Sequence, residues 1–191
     1  RGLSFGTIAG YGANGAIVHY APSASQCAEL RESSFLLVDS GGQYLGGTTD
    51  ITRTIPLGEV PGSYRRDYTL VLQAFIRLHS ARFPEGCTGK SLDVLSRQVM
   101  WDNYLDYKHG TGHGVGCFLN DHEGPTNFSN ARVPMEEGMV ISIEPGIYRT
   151  GMLGVRTENL VTVVRDKRSD EFGQFFRFEP LTLCPINTQA I

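Results

Sequence analysis

Apolar and polar positions alternate along the chain in a way that predicts strands, then helices, then strands again. Leu3 to Ile8 is a strand-like run, Gly10 to Gly15 a turn, and Ala16-Ile17-Val18-His19-Tyr20 a short strand with a polar end. Phe35-Leu36-Leu37-Val38 is continuously apolar, as a buried strand is, and Asp39 closes it. Glycine pairs at 41–42 and 46–47 bracket Gln43-Tyr44-Leu45 and predict a hairpin. Its returning strand is the β-branched stretch Asp50-Ile51-Thr52-Arg53-Thr54. After a break at Pro61-Gly62, with Ser63 placed to cap, Tyr64, Tyr68, Val71, Phe75 and Leu78 recur at intervals of 4, 3, 4 and 3. That is one stripe of an amphipathic helix, with Arg65, Arg66, Asp67 and Arg77 expected mostly on other faces. Phe83 to Gly86 ends it. A second helix is expected from Ser91, with Leu92, Leu95 and Val99 inward. Met139 to Glu144 alternates as a strand, Pro145-Gly146 turns the chain, and Val155 to Val164 is a further strand. This order predicts an α+β domain rather than alternating β/α units.

The length of 191 residues suits one domain with a sizeable core. Net charge is −3 with both signs scattered, so neither nucleic acid nor an anionic membrane surface is expected as a partner. No apolar run approaches the roughly 20 residues of a spanning helix. Cys27, Cys87, Cys117 and Cys184 are widely spaced, with no Cys-x-x-Cys pair, and are expected to be free thiols in a reducing compartment. The chain opens inside a strand-like run without a signal-peptide pattern, which predicts a piece of a longer polypeptide.

The chemistry concentrates in acids and histidines. Asp39 ends one strand, Asp50 opens another, Glu144 ends a third and Glu158 lies inside a fourth. Carboxylates are rarely buried without a partner, so these placements ask for cations. Arg53 and Arg156 are one source and divalent metal is another, with four carboxylates and a histidine suiting two ions better than one. The segment HGTGHGVGCFLNDHEGP, His109 to Pro125, holds three of the five histidines among five glycines. Its glycines allow close backbone approach, leaving one imidazole for metal and the others for substrate. His79, near the end of the first helix, reads as structural, a cation suited to the helix dipole. Zincin, nucleophile-elbow and Walker motifs are absent.

Taken together, GAIVHYAP at 15–22, VDSGGQYLGGTTDITRT at 38–54, the histidine segment, ISIEPGIY at 141–148, GVRTEN at 154–159 and FEPLTLCPI at 178–186 resemble the catalytic domain of the cytosolic aminopeptidase P type. That family belongs with prolidase and methionine aminopeptidase among the pita-bread metallopeptidases. The resemblance implies a strongly curved antiparallel sheet with helices on its outer face, spanning 1–191 as a catalytic domain shortened at both ends. It implies two divalent ions, manganese first and zinc or cobalt as alternatives, held by Asp39, Asp50, His113, Glu144 and Glu158. Asp50 and His113 are expected on different ions, Asp39 bidentate and both glutamates bridging. His19, His109 and His122 are implied as substrate-side residues, with His109 lining the proline pocket and His122 facing the tetrahedral intermediate. Tyr148 and Arg156 are implied to hold the Asp39 carboxylate. The implied activity is hydrolysis of the N-terminal Xaa-Pro bond of peptides by a hydroxide shared between the ions, with Glu144 accepting its proton and the substrate amine against one metal. A cytoplasmic location and a homodimeric parent are implied as well. The wording HGTGHGVG…HEGP favours this type over prolidase, and the intact ligand set over a non-catalytic binding module.

Overall fold

The computed structural model describes residues 2–25, 27–118 and 120–191. Its strands are β1 (Gly2–Leu3), β2 (Ile8–Tyr11), β3 (Ser33–Ser40), β4 (Gly42–Tyr44), β5 (Gly47–Thr48), β6 (Ile51–Gly58), β7 (Arg82–Pro84), β8 (Val140–Ile143), β9 (Gly146–Arg149), β10 (Leu153–Arg156), β11 (Asn159–Asp170) and β12 (Gly173–Pro180). Two helices, α1 (Gly62–His79) and α2 (Gly89–Trp101), lie between β6 and β8 in the chain. The sheets run β2-β3-β6, β7-β12-β11-β8, β9-β10 and β1-β4-β5. Each registered pairing is antiparallel. The α+β expectation holds, as do the buried strand at 35–38 and the hairpin after it.

β3 is the middle strand of its sheet, so Phe35 and Leu37 are each 1% exposed. Asp39 sits at its far end, opposite Ile8 on β2 and Thr52 on β6. The predicted stripe of α1 is the buried one: Tyr68, Val71, Phe75 and Leu78 join a core with Ile141, Ile143, Val155 and Val161. Burying each such aliphatic or aromatic side chain contributes about 1.5–3 kcal/mol. α2 packs beside α1, and the Thr88 hydroxyl caps it by accepting from the Ser91 amide, so it starts two residues before Ser91.

Four local expectations fail for identifiable reasons. Ala16–Tyr20 is not a strand. A 3₁₀ turn occupies Gly12–Ala16, packed so tightly on β10 that a Cβ at Gly154 would lie 1.7 Å from the Gly15 carbonyl oxygen. Ser63 caps nothing, because α1 begins at Gly62 behind Pro61. Asp67 is buried rather than outward, since Arg149 of β9 donates to both its oxygens, Nη2 to Oδ1 at 2.8 Å. The run from Val155 to Val164 is two strands, parted at Thr157-Glu158 where the Glu158 amide donates to the Thr52 carbonyl of β6. Phe83 also does more than stop a helix: β7 pairs with β12 there.

Candidate metal centre and substrate cleft

Strand ends converge on one place. Asp39 comes from β3, Asp50 precedes β6, Glu144 follows β8, and Glu158 occupies the break between β10 and β11. The histidine segment is laid against β8 by backbone hydrogen bonds. Ser142 donates to the His113 carbonyl and Glu144 to the Thr111 carbonyl, each at 2.8 Å, while Gly114 donates to Thr126 at 3.0 Å. A Cβ at Gly112 would lie 1.9 Å from the Ser142 carbonyl oxygen, so only glycine permits that approach. From α2, Arg97 fixes the start of the segment by donating to the carbonyls of Tyr107 and His109. Leu119, inside the segment, lies outside the described residues.

His113 is presented in one tautomer. Its Nδ1–H donates to the Gly114 carbonyl at 3.0 Å, which leaves the Nε2 lone pair facing Asp50 Oδ2 at 3.5 Å and Glu144 Oε1 at 3.4 Å. Donor atoms of Asp50, His113 and Glu158 all lie within 4.8 Å of one another. That closeness runs against the expectation that Asp50 and His113 serve different ions, because the free nitrogen of His113 points at Asp50.

Three of the acids are held at one oxygen. Arg156 Nη2 donates to Asp39 Oδ2 at 2.6 Å, the Thr52 hydroxyl to Glu158 Oε2 at 2.7 Å, and the Ser142 hydroxyl to Glu144 Oε1 at 3.1 Å. Asp39 Oδ1, Asp50 Oδ1 and Glu158 Oε1 are buried without a protein partner. Burial, then the neighbouring Asp121, Asp39 and Glu144 charges, push the Asp50 carboxyl up to about 9. Burial raises Glu144, and burial with Glu144 and Asp50 alongside raises Glu158 well above the ordinary carboxylate range. Buried carboxylate oxygens without protein partners, on acids gathered about one imidazole nitrogen, fit divalent cations. Arg53 does not neutralise them. Its guanidinium donates to the carbonyls of Thr52, Glu158, Cys184 and Pro185 and to the Asn159 side chain.

A cleft of about 820 Å³ opens over these groups, with His19 and His122 on its walls. His122 stacks on His113 with ring centroids 3.7 Å apart, and its side chain is 70% exposed. Burial first, then the neighbouring His113, lowers its basicity. His109 has both nitrogens committed: Nδ1–H donates to the Gly110 carbonyl at 2.7 Å, and Nε2 accepts from the Tyr148 hydroxyl at 2.9 Å. Burial brings its pKa down to about 4. It therefore presents a neutral ring as a wall, with no nitrogen free to exchange a proton. Tyr148 in turn accepts from Arg156 Nη1 at 2.8 Å, so it reaches Asp39 only through that guanidinium. His79 is structural, but not as a cation: it lies against Phe75 with centroids 5.1 Å apart, and burial lowers its pKa.

The model of metallopeptidase family M24 matches residues 1–165. The chain belongs to metallopeptidase family M24. Among curated M24 relatives, a probable Xaa-Pro aminopeptidase P of Tuber melanosporum is 48% identical over 100% of this chain and 32% of its own length. Aminopeptidase P1 of Lotus japonicus is 46% identical over 100% of this chain and 30% of its own. The chain thus spans about a third of the length of the curated relatives it matches. Of solved structures, the X-prolyl aminopeptidase of Caenorhabditis elegans, described as a cytosolic enzyme with a di-nuclear active site, superposes with a TM-score of 0.94 at 39% identity, covering 99% of this chain and 31% of that one. Prolidase from Pyrococcus furiosus gives a TM-score of 0.79 at 34% identity, over 96% and 50%. These likenesses establish the pita-bread fold.

Within the M24 frame, sequence reasoning missed one acid. Asp121 is 9% exposed, lines the cleft, and has Oδ1 buried without a partner, like the oxygens of Asp39 and Asp50. Its position directly before His122, inside the histidine segment, was the available signal.

Proposed function

We propose that this chain carries the active centre of a Xaa-Pro aminopeptidase, with Asp39, Asp50, His113, Glu144 and Glu158 holding two divalent ions. Asp50 and His113, whose donor atoms face each other, would contribute to the same ion. The observation that carries this reading is the gathering of buried acids with partnerless oxygens, Asp39, Asp50 and Glu158, at the place where the preset Nε2 of His113 faces Asp50 and Glu144. Bound there, two ions supply a Lewis acid for the scissile carbonyl and acidity for a water. Manganese is the expected metal, zinc and cobalt the alternatives.

The protein groups divide the remaining work. Glu144, held at Oε1 by Ser142, takes the proton of the attacking water. His122, stacked beside His113 at the mouth of the cleft, offers an N–H to the carbonyl oxygen as charge develops on it. His19 closes the leaving side. The fixed, neutral ring of His109 is a flat wall for a proline, and Arg156 keeps Asp39 oriented. Substrates are peptides with proline second, in a cytosolic enzyme whose parent is a homodimer.

The test is release of the N-terminal residue from Ala-Pro-Pro by EDTA-stripped protein reloaded with manganese, against Ala-Pro and Ala-Ala-Pro. Cleavage of Ala-Pro-Pro, lost on stripping and reduced about 10²–10⁴-fold in Glu144→Gln, is expected. Folded, metal-loaded protein that leaves every Xaa-Pro bond intact sinks the proposal. The prolidase neighbour motivates one second reading, and cleavage of Ala-Pro alone selects it.

A further inference from the structure

The histidine segment is tied to different elements on either side of Thr111. From Thr111 onward it is laid on β8, through the Thr111 and His113 carbonyls. Before Thr111 its ties run to α2, and they come from one face of that helix, where Asp93, Ser96 and Arg97 stand at i, i+3 and i+4. Arg97 donates four hydrogen bonds there. Nε goes to Asp93 Oδ2 at 2.6 Å, Nη1 to Asp106 Oδ1 at 3.1 Å and to the Tyr107 carbonyl at 2.8 Å, and Nη2 to the His109 carbonyl at 2.9 Å. The guanidinium also lies over the Tyr107 ring, 4.2 Å from its centroid. Asp93 accepts at its other oxygen from the Thr111 hydroxyl, and the Tyr107 hydroxyl sits 2.5 Å from Thr111 Oγ1 and 3.2 Å from Ser96 Oγ.

The consequence falls on His109. Its ring packs against Tyr107, with centroids 5.1 Å apart, and against Tyr148, at 5.4 Å. Arg156 holds Tyr148 and Arg97 holds Tyr107, so each aromatic neighbour of the imidazole is fixed by an arginine. The network is larger than the docking of α2 requires. Leu92, Leu95, Val99 and Met100 already pack that helix into the core, and a sheltered ion pair contributes little net stability over apolar side chains of the same volume. What the network does supply is a fixed place for one carbonyl and one ring. Arg97 lies outside the residues that line the cleft, so it reaches a substrate only through His109.

The structure assigns Arg97, oriented by Asp93, as the positioning residue that sets the width of the proline pocket through His109. This rests on the aminopeptidase reading above, in which the His109 ring is the proline wall. The ring size accepted at the second position is then fixed from α2, while the proposed ligands are carried by β8 and the other strand ends.

The manganese-loaded protein is assayed with Ala-Pro-Pro and with Ala-pipecolyl-Pro, whose second residue has one more methylene in its ring. The wild type should prefer the proline peptide by about 10- to 200-fold in kcat/KM, the discrimination that one methylene allows. In Arg97→Gln, KM for Ala-Pro-Pro should rise about 10-fold with kcat changed less than about 3-fold, and the preference between rings should shrink toward parity. Manganese content by elemental analysis should stay at the wild-type value. Arg97→Lys keeps the charge beside Asp93 but cannot span four acceptors, so it should recover thermal stability without recovering ring preference.

A kcat that falls while KM and ring preference stay at wild-type values marks a merely structural role and overturns the assignment. So does loss of manganese from the folded variant, or a wild type that takes both rings equally. Should Arg97→Gln unfold, Arg97→Lys decides: wild-type ring preference in that variant overturns the assignment. If the wild type cleaves Ala-Pro-Pro and any of these results appears, this inference alone fails. If it cleaves no Xaa-Pro peptide, the aminopeptidase reading falls and takes the inference with it.

Discussion

Stripping the ions should make the protein less stable as pH rises, the reverse of ordinary acid denaturation. Folded and metal-free, Asp50 keeps its proton to about pH 9, while the unfolded chain releases it near the ordinary value of 3.8. Between those values the folded state binds one more proton, so stability is greatest at the acid end and declines with rising pH. The slope is about 1.4 kcal/mol per pH unit for one proton. From pH 7 to 8.5 that is about 2 kcal/mol, a fall of roughly 4–8 °C in Tm for a domain of this size. Asp121, Glu144 and Glu158 are raised in the same direction and add to the sign. The window lies above the ordinary histidine range, so His79 and His109, both shifted down, do not contribute. The assay is thermal unfolding at pH 7, 7.75 and 8.5, after EDTA and again with saturating manganese. Ions need ionised ligands, so the loaded protein should lose the downward trend or reverse it. Asp50→Asn should flatten the metal-free slope. A metal-free Tm that is level or climbs from pH 7 to 8.5 refutes the proton bookkeeping.

Three further outcomes are expected. Arg156→Met leaves Asp39 buried and unpaired and should cost about 3–5 kcal/mol in urea unfolding of metal-free protein; Arg156→Lys should recover less than half, since an ammonium cannot reach Asp39, Tyr148 and Thr52 together. Gly112→Ala drives a methyl onto the Ser142 carbonyl and should abolish manganese binding in equilibrium dialysis, with a loss of roughly 3 kcal/mol or more. Burial lowers the His79 pKa, so the unfolded chain takes up its proton first as pH falls below about 6.5 and stability is lost there; His79→Gln should flatten the decline of denaturant midpoints on that acid side.

What could be read from the sequence was local or periodic. The apolar run of β3, the glycine-bracketed hairpin and the stripe of α1 each follow from residues within one element. Residue chemistry alone left Asp39, Asp50, Glu144 and Glu158 between salt bridges and metal; the family resemblance named the ligand set. Features fixed by distant partners were not legible. Asp67 looked solvent-facing because Arg149, 82 residues away, is invisible to helical periodicity. Arg53 looked like a counter-ion, yet its targets are carbonyls at 158, 184 and 185 that no pattern advertises. His79 looked like a helix-end cation until the Phe75 ring and burial were seen. Asp121 went unread because an acid beside a histidine is unremarkable until the fold buries it.

The relay Asp39–Arg156–Tyr148–His109 has an evolutionary consequence. One guanidinium steadies a carboxylate of the proposed metal site and, through a phenol, the ring proposed to wall the proline pocket. A substitution at His109 that admitted a different residue would also release Tyr148 and loosen Arg156. On the proposed function, substrate range and chemical competence are thus linked traits in this scaffold. Drift toward a new specificity through that wall lowers fitness for the old reaction at once, which favours lineages that change selectivity from other sides of the cleft.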